Sequence, residues 1–380
     1  MKVVIAIDSF KGSLSSIQAG TAAKEGVLAV YPQAEVIVKP LADGGEGTIE
    51  ALAEGLQGTI KTAVVSGPLG EPVYAQYAVL MDSKTAVLEM AQAAGLPMVP
   101  PHLRDPRCTT TYGVGELIKL AIQDGCRNFI VGIGGSATND AGIGMLQALG
   151  FEFLDAQGCA VQGVGGELIN IVSVKTENCL PELAECSFKV ACDVNNPLFG
   201  TNGAAYIYGP QKGATIEIVR ELDAGLVHFA EVVQRDLDKD VAQVAGSGAA
   251  GGLGYAFMAF LGAELRSGIE LILAEINLQS DLAGADFVIT GEGRLDAQTA
   301  MGKAPVGVAK LAKQHGARVI ALAGCTTDDA LQCNQAGIDA YFSVVNTAMD
   351  LQQAMRAEVA YNNVRQTSIQ IFNLIQSLLR

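Results

Sequence analysis

The sequence predicts an α/β protein, with an open, mostly parallel sheet of the Rossmann or flavodoxin-like kind and a mixed α/β domain inserted into it. Three observations point there. Short apolar runs alternate with helix-length segments, as in a parallel sheet covered on both faces. Polar, glycine-rich loops follow several of those runs directly, where ligands bind in such sheets. One stretch, 59–90, alternates polar and apolar residues around a Gly-Pro-Leu-Gly turn at 67–70, as antiparallel strands do. A length of 380 residues fits two or three domains of roughly 100–200 residues each.

The elements follow in order. The apolar run 3–7 breaks at Asp8-Ser-Phe-Lys-Gly12 and gives way to a helix over Ser16–Val30, closed by Tyr31-Pro32. A second run, 35–38, ends in the loop 41–48 and another helix. The unit recurs at 128–131, followed by the loop 132–142. It recurs again at 286–290, followed by the loop 291–303 and a helix over 306–314. Runs at 318–322 and 340–344 add two more strands. Between these lie short strands at 151–154 and 188–191, with helices at Ile216–Leu237 and 255–264. The expected division is therefore 1–66, 108–150 and 283–380 for the first domain, and 67–107 and 151–282 for the inserted one. The stretch from Leu351 reads as helix packed on the first domain.

Composition narrows the function classes. Hydrophobic residues make up 49% and charged residues 17%, enough apolar surface for large cores. Glycine is abundant, at 44 residues, and it clusters where backbone must approach a ligand or take positive φ. The net charge of −15 argues against nucleic-acid and anionic-membrane partners. An anionic nucleotide stays possible where backbone amides, a few cations and a divalent metal act locally. The eight cysteines form no C-x-x-C pair and the histidines stand far apart, so reduced thiols are expected and a zinc site is not. The apolar start is too short for a signal-peptide core. The uncharged stretch 244–263 contains six glycines, which suits a loop leading into a buried helix better than a membrane span. A cytoplasmic location is expected.

Four loops after strands, and two segments of the inserted domain, could carry chemistry. In Gly132-Ile-Gly-Gly-Ser-Ala-Thr-Asn-Asp-Ala-Gly142 the glycines free backbone amides for phosphate oxygens. Ser136 and Thr138 add hydroxyls, and Asp140 either holds a cation or caps a helix. Residues 132–137 also match G-x-G-x-x-A, a weak dinucleotide fingerprint, which keeps an NAD-dependent hydroxy-acid dehydrogenase as the alternative. Asp8, Ser9 and Lys11 place a carboxylate, a hydroxyl and an ammonium at a strand end. Asp43 and Glu46 flank a glycine turn. The loop 290–303 offers Glu292 and Asp296 with Arg294 and Lys303, the mixture of carboxylates and cations that phosphoryl transfer uses. Asp193 ends a strand of the inserted domain. The run 246–254 brings backbone close to a ligand or packs tightly.

Taken together, Asp8-Ser-Phe-Lys-Gly12, Ala42-Asp-Gly-Gly-Glu-Gly-Thr48, Gly134-Gly-Ser-Ala-Thr-Asn-Asp140, Asp193-Val-Asn-Asn-Pro-Leu198, Gly248-Ala-Ala-Gly-Gly252 and Thr290-Gly-Glu-Gly-Arg-Leu-Asp296 with Gly302-Lys303 resemble the type 1 glycerate kinase family across the whole chain. Ala141 departs from the pattern, where glycine is expected. The resemblance implies ATP-dependent phosphorylation of D-glycerate with Mg²⁺. It also implies one flavodoxin-like domain, one domain like a restriction-enzyme fold, and a site in the cleft between them. It leaves individual roles open, and the chemistry of the residues supplies them. Gly134, Gly135, Ser136, Thr138, Asn139 and Asp140 are expected to cradle the nucleotide, and Asp193 with Glu292 to hold Mg²⁺. Lys11 and Arg294 neutralise charge and Asp296 serves as general base. Asp8, Ser9, Asp43, Glu46 and Lys303 bind substrate. The product is expected to be 2-phosphoglycerate, with 3-phosphoglycerate the other possibility.

Overall fold

The computed structural model describes residues 1–45 and 47–379. Its strands, in chain order, are β1 (Lys2–Ile7), β2 (Glu35–Pro40), β3 (Thr59–Ser66), β4 (Pro72–Leu80), β5 (Thr85–Glu89), β6 (Asn128–Gly132) and β7 (Glu152–Leu154). There follow β8 (Ser173–Lys175), β9 (Ser187–Ala191), β10 (Glu264–Arg266), β11 (Phe287–Leu295), β12 (Arg318–Thr326) and β13 (Ala340–Ser343). The chain divides into two units. The first comprises 1–43, 50–57 and 269–380, the second 44–49 and 58–268.

The first unit is built on a five-stranded sheet in the order β13-β12-β11-β1-β2, with every pairing parallel. Counted within the unit, that is the flavodoxin-like order 2-1-3-4-5. Residues 3–7 form a continuous apolar run because β1 is central: Val3 to Ile7 are fully buried between β2 and β11. The helix Ser16–Val30 starts on a capping box, Ser15 receiving the Gln18 N–H while the Gln18 side chain returns to Ser15. Its buried face, with Ala19, Ala23 and Val27, packs into the same core as Val364, Ile371 and Phe372 of the C-terminal helix Ala357–Leu379. That helix was expected on this sheet.

The second unit carries a six-stranded mixed sheet, β10-β9-β6-β5-β4-β3, and a two-stranded pair, β7-β8. The alternating stretch pairs antiparallel as expected, β3 with β4 and β4 with β5. The expected allotment of 108–150 to the first domain is corrected. β6 pairs in parallel with β5 and β9, and Phe129 stacks on Phe188 with ring centroids 4.7 Å apart. β3 likewise belongs to the second unit, whereas 269–282, expected in the inserted domain, belong to the first. The apolar run of β6 signals a buried parallel strand but does not say which sheet it enters. The stretch around 244–263 becomes the buried helix Ala249–Leu261. Among the described residues no helix is long and apolar enough to cross a membrane.

Candidate active site

The carboxyl ends of the first unit's strands open into a cavity of about 620 Å³. Asp8 and Lys11 reach it from the end of β1, Asp43 from the loop after β2, and Glu292, Arg294 and Asp296 from the end of β11. Lys303, at the start of the helix Ala304–Gln314, lines it too. Several sequence-predicted residues of that unit are therefore brought together.

Local structure explains the placement. The Asp8 N–H donates to the Gly291 carbonyl at 2.9 Å, extending the β1–β11 ladder by one residue. The Ser16 hydroxyl donates to the Ile7 carbonyl at 2.7 Å and accepts from the Leu41 N–H at 2.8 Å. One buried serine thus ties the loop bearing Asp8 to the loop bearing Asp43. At Gly291 any Cβ would stand 2.0 Å from the Leu322 carbonyl oxygen, so only glycine lets β11 stay on β12 up to the site.

Asp8 is 5% exposed. Burial, then the charge of Asp43, pushes its carboxyl up to about 7, while the Ser9 N–H and Lys11 pull the other way. Glu292 is also raised by burial, against the Thr299 hydroxyl and Lys303. Asp296 has a different position. It is the N-cap of the short helix Ala297–Ala300, accepting from the N–H groups of Gln298 and Thr299 at 2.9 and 3.2 Å. Arg294 reaches its other oxygen at 3.5 Å. The Asp296 Oδ1 is engaged by two backbone donors, which ties the side chain to the helix start.

The glycine loop after β6 also differs from expectation. Gly134 and Gly135 face solvent, but Ser136 to Asp140 are buried. Asp140 accepts from the Thr111 N–H and hydroxyl at 2.8 and 2.7 Å and from the Gly142 N–H at 3.1 Å. Burial raises its carboxyl. It holds the loop to Thr111 rather than facing a cation or phosphate. The side-chain atoms of Asn139 and the Thr138 hydroxyl are buried without a partner among the described residues. Ala141, the departure from the family pattern, sits at φ 49°, a left-handed position that explains why glycine suits it. The next helix, Ile143–Ala148, starts well beyond Gly132, so the dinucleotide fingerprint lacks the strand-to-helix turn it requires.

Sequence reasoning missed Lys212. It is 2% exposed and donates to the Ser136 hydroxyl at 2.7 Å and the Thr138 carbonyl at 2.6 Å. Burial lowers its ammonium to about 7, with Asp140 opposing. No motif surrounds it, and a lone lysine in a Pro-Gln-Lys-Gly turn gives no signal. Asp193 is exposed at the end of β9, its Oδ1 accepting from the Gly268 N–H at 3.1 Å. It belongs to the second unit and Glu292 to the first, so neither unit by itself gathers the expected metal pair. Among the described residues no group of three His, Cys, Asp or Glu has metal-holding geometry. Glu46 lies outside the described residues.

Residues 3–376 match the glycerate kinase family. The chain belongs to the glycerate kinase family. It is 49% identical to the glycerate 2-kinase of Escherichia coli K12, over 97% of this chain and 96% of that one. It is 48% identical to a glycerate kinase of Haemophilus influenzae, over 94% of both chains. A solved structure from Salmonella typhimurium LT2, described as a glycerate kinase 2, superposes with a TM-score of 0.92 at 46% identity, covering 99% of this chain and 98% of the other. The chain is thus a phosphotransferase of this family, and the dehydrogenase alternative finds no support.

Proposed function

We propose that the enzyme transfers the γ-phosphoryl group of ATP to a hydroxyl of D-glycerate, releasing ADP and 2-phosphoglycerate. The observation that carries this reading is the cavity of the first unit, where a carboxyl raised to about 7 stands among other carboxylates and three cationic side chains. The choice of the 2-hydroxyl follows the name of the Escherichia coli relative.

The residues divide by chemistry. Asp8 accepts the proton of the attacking hydroxyl, since a buried carboxylate of raised pKa is a stronger base than an exposed one. Lys11 and Arg294 neutralise the glycerate carboxylate and the moving phosphoryl group. Lys303 adds charge at the start of a helix whose N-terminal end favours anions. Ser9 and Asp43 offer polar contacts to the glycerate hydroxyls.

Mg²⁺ suits the donor set. Protein sites for this ion use one or two carboxylates and leave the remaining positions to phosphate oxygens and water. Glu292 and Asp43 add to the negative potential at Asp8, so the cavity has carboxylates to spare. They would hold the ion, which when bound draws charge from the phosphates. A cytoplasmic location fits the eight cysteines, none of which is disulfide-bonded.

The test is direct. The protein is incubated with Mg-ATP and D-glycerate and coupled to enolase alone, or to enolase with phosphoglycerate mutase. Immediate signal with enolase alone supports 2-phosphoglycerate. Signal only with the mutase moves the product to 3-phosphoglycerate, and no ADP in either arm ends the proposal.

A further inference from the structure

The cavity of the first unit has two chemically distinct ends. The ionic end holds Asp8, Lys11, Glu292, Arg294 and Lys303. The other is walled by Val344, Val345, Met349, Leu351, Ala354 and Met355. Leu351 is 74% exposed there, Val345 38% and Met355 37%, an apolar group left open to water around one concave surface. Glycerate cannot account for it. A three-carbon acid with a carboxylate and two hydroxyls has almost no apolar surface to bury. At about 620 Å³ the cavity lies in the ~300–1,000 Å³ range of sites for much larger ligands.

Two polar side chains stand in this wall, and one of them, Asp350, is engaged as a helix cap, its Oδ1 accepting the Gln353 N–H at 2.7 Å. Asn363, on the helix Ala357–Leu379, lines the cavity and is 8% exposed. Its backbone carbonyl accepts from the Asn346 side chain, but its carboxamide has no hydrogen-bond partner among the described residues. The amide lines the open cavity, where a ligand can take up its donor and acceptor. A carboxamide offers one donor and one acceptor side by side, which match N7 and the N6 amino group of adenine. Guanine presents two acceptors on that edge, O6 and N7, and cannot take both bonds.

We infer that the adenine ring of ATP lies against the apolar wall 344–355 of the first unit, with Asn363 reading its edge, and that the phosphates run toward Lys11, Arg294 and Lys303. Charge complementarity fixes the direction, because the triphosphate needs the cationic end and the base needs the apolar one. The glycine loop after β6 is then not the base site. This inference rests on the phosphoryl-transfer reading above.

Three variants test it. Ala354→Trp fills the slot, Leu351→Asp charges its exposed lip, and Asn363→Ala removes the amide. Leu351 is exposed enough that its variant should fold, and thermal melting checks the other two. The readouts are KM for ATP, GTP and glycerate, and the Kd of a ribose-labelled fluorescent ADP without glycerate. The inference expects Ala354→Trp and Leu351→Asp each to weaken ATP and labelled ADP about tenfold or more while glycerate KM stays within about twofold. Asn363→Ala should cut the preference for ATP over GTP about tenfold, in line with the discrimination of one bidentate pair. Unchanged nucleotide binding in Leu351→Asp and Ala354→Trp overturns the inference, as does a rise in glycerate KM alone. Wild-type protein that binds labelled ADP, loses it on these substitutions and yet phosphorylates no glycerate would sink the substrate reading and leave the nucleotide subsite standing. Normal turnover with unaltered nucleotide KM in the variants would do the reverse.

Discussion

The Thr299 hydroxyl donates to Oε1 of Glu292 at 2.5 Å. The same threonine gives its N–H to Asp296 at 3.2 Å, and its oxygen accepts the Asp296 N–H at 3.2 Å. Asp296 therefore fixes Thr299, and Thr299 orients Glu292 toward the cavity. A residue that looks catalytic by composition is also a helix start here, and its two common substitutions should separate the two roles.

Asp296→Asn should keep most of kcat, because asparagine caps a helix about as well as aspartate. Asp296→Ala should cost about 1 kcal/mol of stability and loosen Glu292. Steady-state kinetics and thermal melts of the two variants side by side check this. A loss of a hundredfold or more in the asparagine variant, with its fold intact, would return the general base to Asp296.

Asp8→Asn should lower kcat by roughly 10²–10⁴-fold, the usual contribution of a general base. The same substitution should stabilise the metal-free protein. Asp8 titrates near 7 in the folded state against 3.8 ordinarily, so between those values the folded state binds the extra proton. Stability from this group is greatest below pH 4 and declines as pH rises toward 7. The full difference amounts to about 4 kcal/mol above pH 7, at 1.36 kcal/mol per pH unit. Metal-free Asp8→Asn should then melt above wild type at pH 8 and near it at pH 4. Equal melting offsets at both values would show that Asp8 is not perturbed.

Lys11→Met removes the cation that pulls the Asp8 carboxyl down. The Asp8 titration should move further up, and glycerate KM should rise about tenfold or more through the lost contact with its carboxylate. Titration of the metal-free variant, followed by NMR of a labelled Asp8 carboxyl, reads the first effect and kinetics the second. A downward or absent shift would place Lys11 away from Asp8.

Much of this was legible before any coordinates. Wholly apolar runs marked β1, β11 and β12, and the rule that ligands sit at the carboxyl ends of parallel strands put Asp8, Asp43 and Glu292 in one place. Sheet membership was not legible, because β6 reads the same whether its neighbours are β5 and β9 or β1 and β11. Side-chain commitment was not legible either. Asp8 and Asp296 are both loop carboxylates in sequence, and only the N–H groups of Gln298 and Thr299 show that Asp296 caps a helix. The apolar wall of the cavity comes from residues 344–355, which carry no glycine and no motif, so nothing marked them as a site.

Lys212 gives the last prediction. Its Nζ is the donor to Ser136 and Thr138 inside the second unit, and its pKa falls from 10.5 to about 7. Between those values the unfolded chain carries the proton and the folded one does not, so this group makes stability rise with pH from 7 toward 10. Lys212→Met keeps most of the volume but leaves two buried acceptors unpaired, at about 1–3 kcal/mol each. The variant should melt lower than wild type at pH 7, and its stability should lack the rise between pH 7 and 10. A variant that melts lower but retains that rise would show that some other buried group titrates there, and that Lys212 matters only as a hydrogen-bond donor.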